Sequence, residues 1–309
     1  MGTVAVVDIG SNSTRLLVAK VSDGRVGAEL ERRSTVTRLG AGVDRDGKLR
    51  DDAIERVYAT LSDYEIEIAR HRADTRIAVL TSAVRDSANG EQFATTVKER
   101  FGFSPHVLSG DQEARLTFLG ATSERDPEEA TPTLVFDIGG GSTEMVIGAG
   151  REASFHVSTQ AGVVRQTERH LRADPPSQAE QRELTADVEA IIAAAVSDDQ
   201  AGRVARAIGV AGTATSLAAI AQRLDPYDPG RVHGYRLSRA EGEWIVARLA
   251  TMPLSQRRKV PGLHPDRAPT IIAGGLIFLT IARHFAREQI EISEHDILRG
   301  AAIALGGGG

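Results

Sequence analysis

The sequence predicts an α/β protein of two domains built on one plan, and three observations carry that prediction. At 309 residues the chain exceeds what a single hydrophobic core usually serves. The stretch VAVVDIGSNSTRLLVAKV at 4–21 returns as TLVFDIGGGSTEMVIGAG at 133–150, which sets Asp8 on Asp137, Ile9 on Ile138, Gly10 on Gly139, Ser13 on Ser142 and Thr14 on Thr143 at a constant offset of 129 residues. Around both copies, apolar runs of strand length alternate with helical periodicities, the order from which layered α/β domains are built.

Taken in order, the first copy forms a hairpin, and residues 26–38 alternate as its third strand. Ile54, Val57, Tyr58, Leu61 and Ile68 stand at helical spacing. There follow a short strand at 76–81, a helix around 91–101, a strand at 106–109 and a helix from Gly110 to about Ala121. The polar segment SERDPEEATP (123–132) carries two prolines and has the composition of a boundary, dividing the chain into domains at 1–126 and 127–309. The second half restarts with a hairpin and third strand over 133–159, helices near 163–171 and 177–197, a strand at 205–212 and a helix from Thr213. A Pro-rich connection, DPYDPG (225–230), leads to further helices ending in the segment after Glu294. The closing glycines at 306–309 are set aside.

Composition removes several classes of function. The chain has no cysteine, which excludes a disulfide framework, thiolate zinc sites and a cysteine nucleophile, and suits a reducing compartment. A formal net charge of −5 and only 4% aromatic residues argue against a general nucleic-acid binder. No basic region followed by an apolar stretch opens the chain, so it is read as cytoplasmic. The apolar run APTIIAGGLIFLTIARHF (268–285) is interrupted by Gly274, Gly275, Arg283 and His284, which predicts a buried core helix instead of a membrane span.

In each repeat an aspartate ends an apolar run and a glycine-rich turn follows at once: Gly10, Ser11, Asn12 and Ser13 in one, Gly139, Gly140, Gly141 and Ser142 in the other. Glycine permits the close approach and unusual dihedrals by which successive backbone N–H groups converge on an anion, and serine hydroxyls add donors. The same residues also suit a tight hairpin turn, so one copy alone would decide little. A third turn, GVAGTATS at 209–216, runs a strand into Gly212 and Thr213 where a helix begins, and a helix start is a ready phosphate site or simply a threonine-capped terminus. Asp137 and Glu144 bracket the second turn, where two carboxylates across a hairpin suit Mg²⁺ or Glu144 simply faces solvent from its strand. The counterpart of Glu144 in the first copy is Arg15, also charged. Arg85, after the strand in TSAVRD, would deliver a guanidinium fork that matches phosphate. In SGDQEAR, Ser109 and Gln112 read as a capping box, which leaves Glu113 one position beyond any capping role. His233 and His295 lack metal-ligand spacing and read as structural.

The paired DIGSNS and DIGGGSTE turns with GVAGTATS resemble the phosphate loops of the actin, sugar-kinase and Hsp70 superfamily. TSAVRD (81–86), SGDQEARLTFLGA (109–121) and RRKVPGLHPDRA (257–268), present in order, narrow the resemblance to the exopolyphosphatase and guanosine pentaphosphatase family in its short two-domain form. That resemblance implies two actin-like (ribonuclease H-like) domains, each a mixed sheet flanked by helices, with the active-site cleft between them. It implies Glu113 as catalytic base, Asp137 and Glu144 as ligands of Mg²⁺ or Mn²⁺ with Asp8 as a further contact through water, and Arg258 as a phosphate contact. Arg15 resembles a position implicated in guanosine tetra- and pentaphosphate recognition. The expected reaction is removal of terminal orthophosphate from inorganic polyphosphate, with guanosine pentaphosphate as the alternative substrate and a homodimer as the assembly the resemblance implies. An ATP-dependent kinase would keep the glycine turns but not the SGDQEAR helix, and a regulator that binds polyphosphate or alarmone without turnover is made thinkable by Gln112, where the family often has another acid.

Overall fold

The computed structural model describes residues 2–306. Two compact units divide it: one comprises the residues up to Glu124 together with those from Asp296 onward, the other Arg125–His295.

In the first unit β1 (Gly2–Ile9), β2 (Ser13–Ser22) and β3 (Arg25–Val36) form an antiparallel meander. After α1 (Val43–Asp46) and α2 (Asp51–Arg70) comes β4 (Thr75–Leu80), then α3 (Ser82–Arg85), α4 (Gly90–Phe101), β5 (Ser104–Val107) and α5 (Gly110–Thr122). The sheet order is β3-β2-β1-β4-β5, with β4 parallel to β1 and β5 parallel to β4. β1 is apolar at successive positions because both its faces are covered. Ala5, Val7 and Ile9 pack with Val57, Leu61, Phe93 and Val97 of α2 and α4, whereas Val4 and Val6 point to the opposite face. Each such fully buried aliphatic side chain contributes about 1.5–3 kcal/mol.

The second unit repeats the plan. β6 (Thr133–Ile138), β7 (Thr143–Ala149) and β8 (Glu152–Thr159) form the meander, followed by α6 (Val163–His170), α7 (Gln178–Ala195), α8 (Asp198–Arg203), β9 (Arg206–Val210) and α9 (Ala211–Gln222). There follow α10 (Pro229–Val232), β10 (Arg236–Ser238), α11 (Arg239–Ala250), α12 (Leu254–Arg257), a single 3₁₀ turn (Pro265–Arg267), α13 (Ile271–His284) and β11 (Gln289–Ile292). The sheet runs β10-β11-β9-β6-β7-β8, so its β8-β7-β6-β9-β11 portion reproduces the order of the first sheet. The two mixed sheets flanked by helices are the architecture the resemblance implied. The run at 268–285 becomes α13, buried along nearly its whole length in the core of this unit. No helix among the described residues is long and apolar enough to cross a membrane.

Two expectations change. After residue 230 the sequence predicted helices only, yet β10 and β11 extend the sheet; at three and four residues they are too short to display a period. The second domain was also expected to run from 127 to 309, whereas the last helix, α14 (Ile297–Leu305), belongs to the first unit. Its Ile297, Leu298, Ala301 and Ala302 cover Val4, Val6, Leu17 and Val79 on the face of the first sheet that α2 and α4 leave open. The final glycines from 307 on lie outside the described residues.

Helix α14 crosses α5 through glycine. A Cβ added to Gly300 would fall on the carbonyl of Leu116, and one on Gly120 would fall on the carbonyl of Asp296, so neither position has room for a methyl group. Gly300→Ala is expected to destabilise the protein by about 1–3 kcal/mol through overpacking. The check is a urea melt: the midpoint falls while the slope stays constant, and an unchanged midpoint would show slack in the crossing.

Candidate active site

The two glycine turns are superposable in their bonding. Asp8 stands opposite Arg15 and Ile9 opposite Thr14 in the first hairpin, as Asp137 stands opposite Glu144 and Ile138 opposite Thr143 in the second. Each turn is closed by the same bond, Gly10 N–H to Ser13 O at 3.0 Å and Gly139 N–H to Ser142 O at 2.9 Å.

Both turns are braced from behind through their carbonyls. In the first, Ser11 O accepts from Gly40 N–H (2.8 Å), and Asn12 O accepts from the amides of Thr37 (3.1 Å) and Arg38 (2.9 Å). In the second, Gly139 O accepts from Val163 N–H (2.9 Å), Gly140 O from Val164 N–H (2.9 Å), and Gly141 O from Arg165 Nε (2.9 Å). A trans peptide points its N–H opposite to its C=O. Bracing these carbonyls therefore turns the amides of Asn12 and Ser13, and of Gly140, Gly141 and Ser142, away from the bracing segments. Successive N–H groups oriented together form an anion-binding concavity. The first turn of α6 spends its own amides on this task, so that helix start serves the loop and not a ligand.

Parallel strands bring the remaining groups to the same edges. In the first sheet Ile9 pairs with Leu80 and Leu80 with Val107, so the turn after β1, the segment after β4 and the segment after β5 emerge side by side at the strand C-termini. Open α/β sheets bind ligands at that edge. Ser82 at the start of α3 bonds Ser11 of the turn, Oγ to Oγ at 2.9 Å. Arg85 sits at the end of α3, not at a strand end as predicted, because the chain turns into a helix directly after Leu80 and Thr81. Arg85 Nη1 donates to Leu108 O (3.0 Å) and lies 3.4 Å from Oε2 of Glu113. The predicted capping box is present, with Gln112 N–H on Ser109 Oγ (3.2 Å) and Ser109 N–H on Gln112 Oε1 (2.9 Å). Glu113, the next residue, is only 8% exposed. Asp8, Gly10 to Ser13, Arg15, Arg85 and Glu113 thus belong to the first unit, linked through Ser11, Ser82 and the Arg85–Glu113 contact.

In the second unit Asp137 pairs with Val210, so the turn after β6 and the third turn after β9 share an edge. Asp137 and Glu144 are 8% and 1% exposed, and Ser158 Oγ donates to Glu144 Oε1 at 2.9 Å. Directly paired residues place their side chains on one face of a sheet, where two like charges repel, a cost that a divalent cation offsets. Hard carboxylate oxygens are the donors Mg²⁺ takes. The residues present therefore fit such an ion. In the first unit, Asp8 Oδ1 is buried without a hydrogen-bond partner, and burial raises the Asp8 pKa while Arg15 draws it back down.

The third turn begins α9 at Ala211, which adopts a left-handed φ of 59°, with no side-chain cap on the helix and Thr213 largely buried. A Cβ on Gly212 would fall on the guanidinium of Arg267, so only glycine lets that cation lie across the helix start. Sequence reasoning missed Arg267, eleven residues into RRKVPGLHPDRA, and chose Arg258, which is exposed just after α12. Arg257 beside it is buried and structural, bonding Met252 O (2.8 Å) and Asp174 Oδ1 (3.2 Å). His233 Nδ1 accepts from Glu294 N–H at 3.2 Å, and the His233 ring lies 4.3 Å from that of His295.

Paired hairpins with amide-lined turns, a buried carboxylate pair and an Arg–Glu contact at the strand ends define an α/β protein that handles phosphoryl groups. Comparison with known proteins narrows the class: the chain belongs to the Ppx/GppA phosphatase family, whose model matches residues 17–300. It is 36% identical to Exopolyphosphatase 2 of Mycobacterium tuberculosis, over 98% of each chain. Among solved structures it resembles an exopolyphosphatase-like protein (35% identity, 98% of each chain, TM-score 0.89). It also resembles the Aquifex aeolicus Ppx/GppA family member (31% identity, 98% of this chain and 97% of that one, TM-score 0.81).

Proposed function

We propose that the protein is an exopolyphosphatase that hydrolyses the terminal phosphoanhydride of inorganic polyphosphate. The observation that carries the reading is Glu113, buried at the start of α5 against Arg85, on the strand edge that also presents the first glycine turn. Glu113 orients a water for in-line attack on the terminal phosphorus and takes its proton; the phosphorus–oxygen bond to the chain breaks, and orthophosphate leaves a chain one unit shorter. Arg85 forks onto the non-bridging oxygens of that phosphate. The amides of Asn12 and Ser13 and of Gly140 to Ser142 receive its developing charge, and Gly212, Thr213, Arg15 and Arg267 contact the remaining phosphates. Asp137 and Glu144 would hold Mg²⁺ or Mn²⁺, with Asp8 as a further contact, and the ion would neutralise charge on the transferred group.

Orthophosphate release in the presence of Mg²⁺ from short polyphosphate, long polyphosphate, guanosine pentaphosphate and ATP, assayed in parallel, tests this. Release from polyphosphate is the expected result. Preference for guanosine pentaphosphate would move the protein to the other activity of the family name, ADP formed together with a phosphorylated small molecule would make it a kinase, and release from none would leave a binding protein.

A further inference from the structure

The two oxygens of Asp8 are in different states. Oδ2 accepts from both Nε (2.8 Å) and Nη2 (2.5 Å) of Arg15, whereas Oδ1 is buried with no hydrogen-bond partner. A guanidinium facing a carboxylate ordinarily engages both oxygens in parallel, fork to fork. Here a third contact diverts it: Arg15 Nη1 donates to Oδ2 of Asp296. Asp296 is itself fixed, since it is 2% exposed, its Oδ1 caps α14 by accepting from Leu298 N–H at 3.0 Å, and Arg32 Nη1 lies 3.9 Å from that oxygen.

We propose that Asp296 is a positioning residue for the first glycine turn: by drawing one end of Arg15 toward itself it confines Arg15 to Oδ2 of Asp8 and leaves Oδ1 presented to a divalent cation or to a water on it. The inference rests on the reading above, in which Asp8 contributes to the ion's surroundings. A carboxylate closed on both oxygens by a guanidinium has no position left for a hard cation, and one closed on a single oxygen does. Asp296 thus acts on the site through Arg15 and touches no substrate.

The test is Mn²⁺ binding to the full chain, read as loss of the free-ion resonance in electron paramagnetic titrations without substrate. Asp296→Asn keeps an oxygen to cap α14 but removes the charge that anchors Arg15, and Asp296→Ser keeps a shorter cap should the amide disturb folding. Both are expected to bind Mn²⁺ about 10–100-fold more weakly than the parent, the usual effect of losing a residue that orients a ligand. The double variant Arg15→Met/Asp296→Asn should bind no worse than Arg15→Met alone. Affinity within twofold of the parent in the single variants, or losses that add in full in the double variant, would overturn the proposal and reduce Asp296 to a helix cap. Polyphosphate hydrolysis by the parent decides the proposed function separately, because Mn²⁺ binding is measured without it.

Discussion

Glu113→Gln is expected to lower orthophosphate release from polyphosphate by about 10²–10⁴-fold, the usual contribution of a general base, while phosphate-analogue binding stays within a few-fold of the parent. Glutamine preserves the size of the side chain at a position that is almost fully buried, so the fold should tolerate it. The loss should appear in kcat and not in KM, since Glu113 acts on the water and its hydrogen-bond reach to Arg85 survives. Stopped-time orthophosphate assays with isothermal titration of a non-hydrolysable polyphosphate analogue separate the two quantities. Undiminished turnover would remove Glu113 from the reaction.

Gly162→Ala is the second large effect, and it acts from a residue that touches no substrate. Gly162 is the N-cap of α6, and a Cβ there would fall on the backbone of Gly140 and Gly141. Because that backbone is the floor of the second turn, the methyl group must push the turn amides away from their braced positions. Overpacking costs about 1–3 kcal/mol in stability. A displacement of about 1 Å in a positioning element costs about 10²-fold in rate, so kcat/KM should fall at least that far even where the protein remains folded. Thermal melts and initial rates on the same preparation check both parts, and a variant that melts lower but turns over normally would show that the turn does not need its brace.

Much of this site was legible before any coordinates because its signals are local. The duplicated hairpins announce themselves by identical residues at one offset, and the structure returns them with identical register and closing bonds. The capping box of Ser109 and Gln112 is a three-residue relationship, readable without tertiary knowledge. What stayed hidden depends on chain segments far apart in sequence. The bracing of the first turn by Thr37, Arg38 and Gly40 uses backbone atoms and leaves no side-chain signature. Arg267 could be preferred over Arg258 only once Gly212 was seen to be shaped around it. Asp296 lies 281 residues from the arginine it orients, and β10 and β11 are strands by virtue of the neighbours they pair with, not of their own composition.

The placement of α14 also bears on how the polypeptide reaches its native state during synthesis. Residues of the second unit are contiguous, so everything needed for its core is available once His295 has emerged. The first unit begins earlier and finishes later: its sheet has strands from Gly2 onward, yet Val4, Val6, Leu17 and Val79 remain without their cover until residues 297–305 arrive. Domains otherwise fold in the order they are made, and contacts closed over so long a loop form slowly. An apolar sheet face therefore waits through the making of the entire second unit, and the segment that began first is the one completed last.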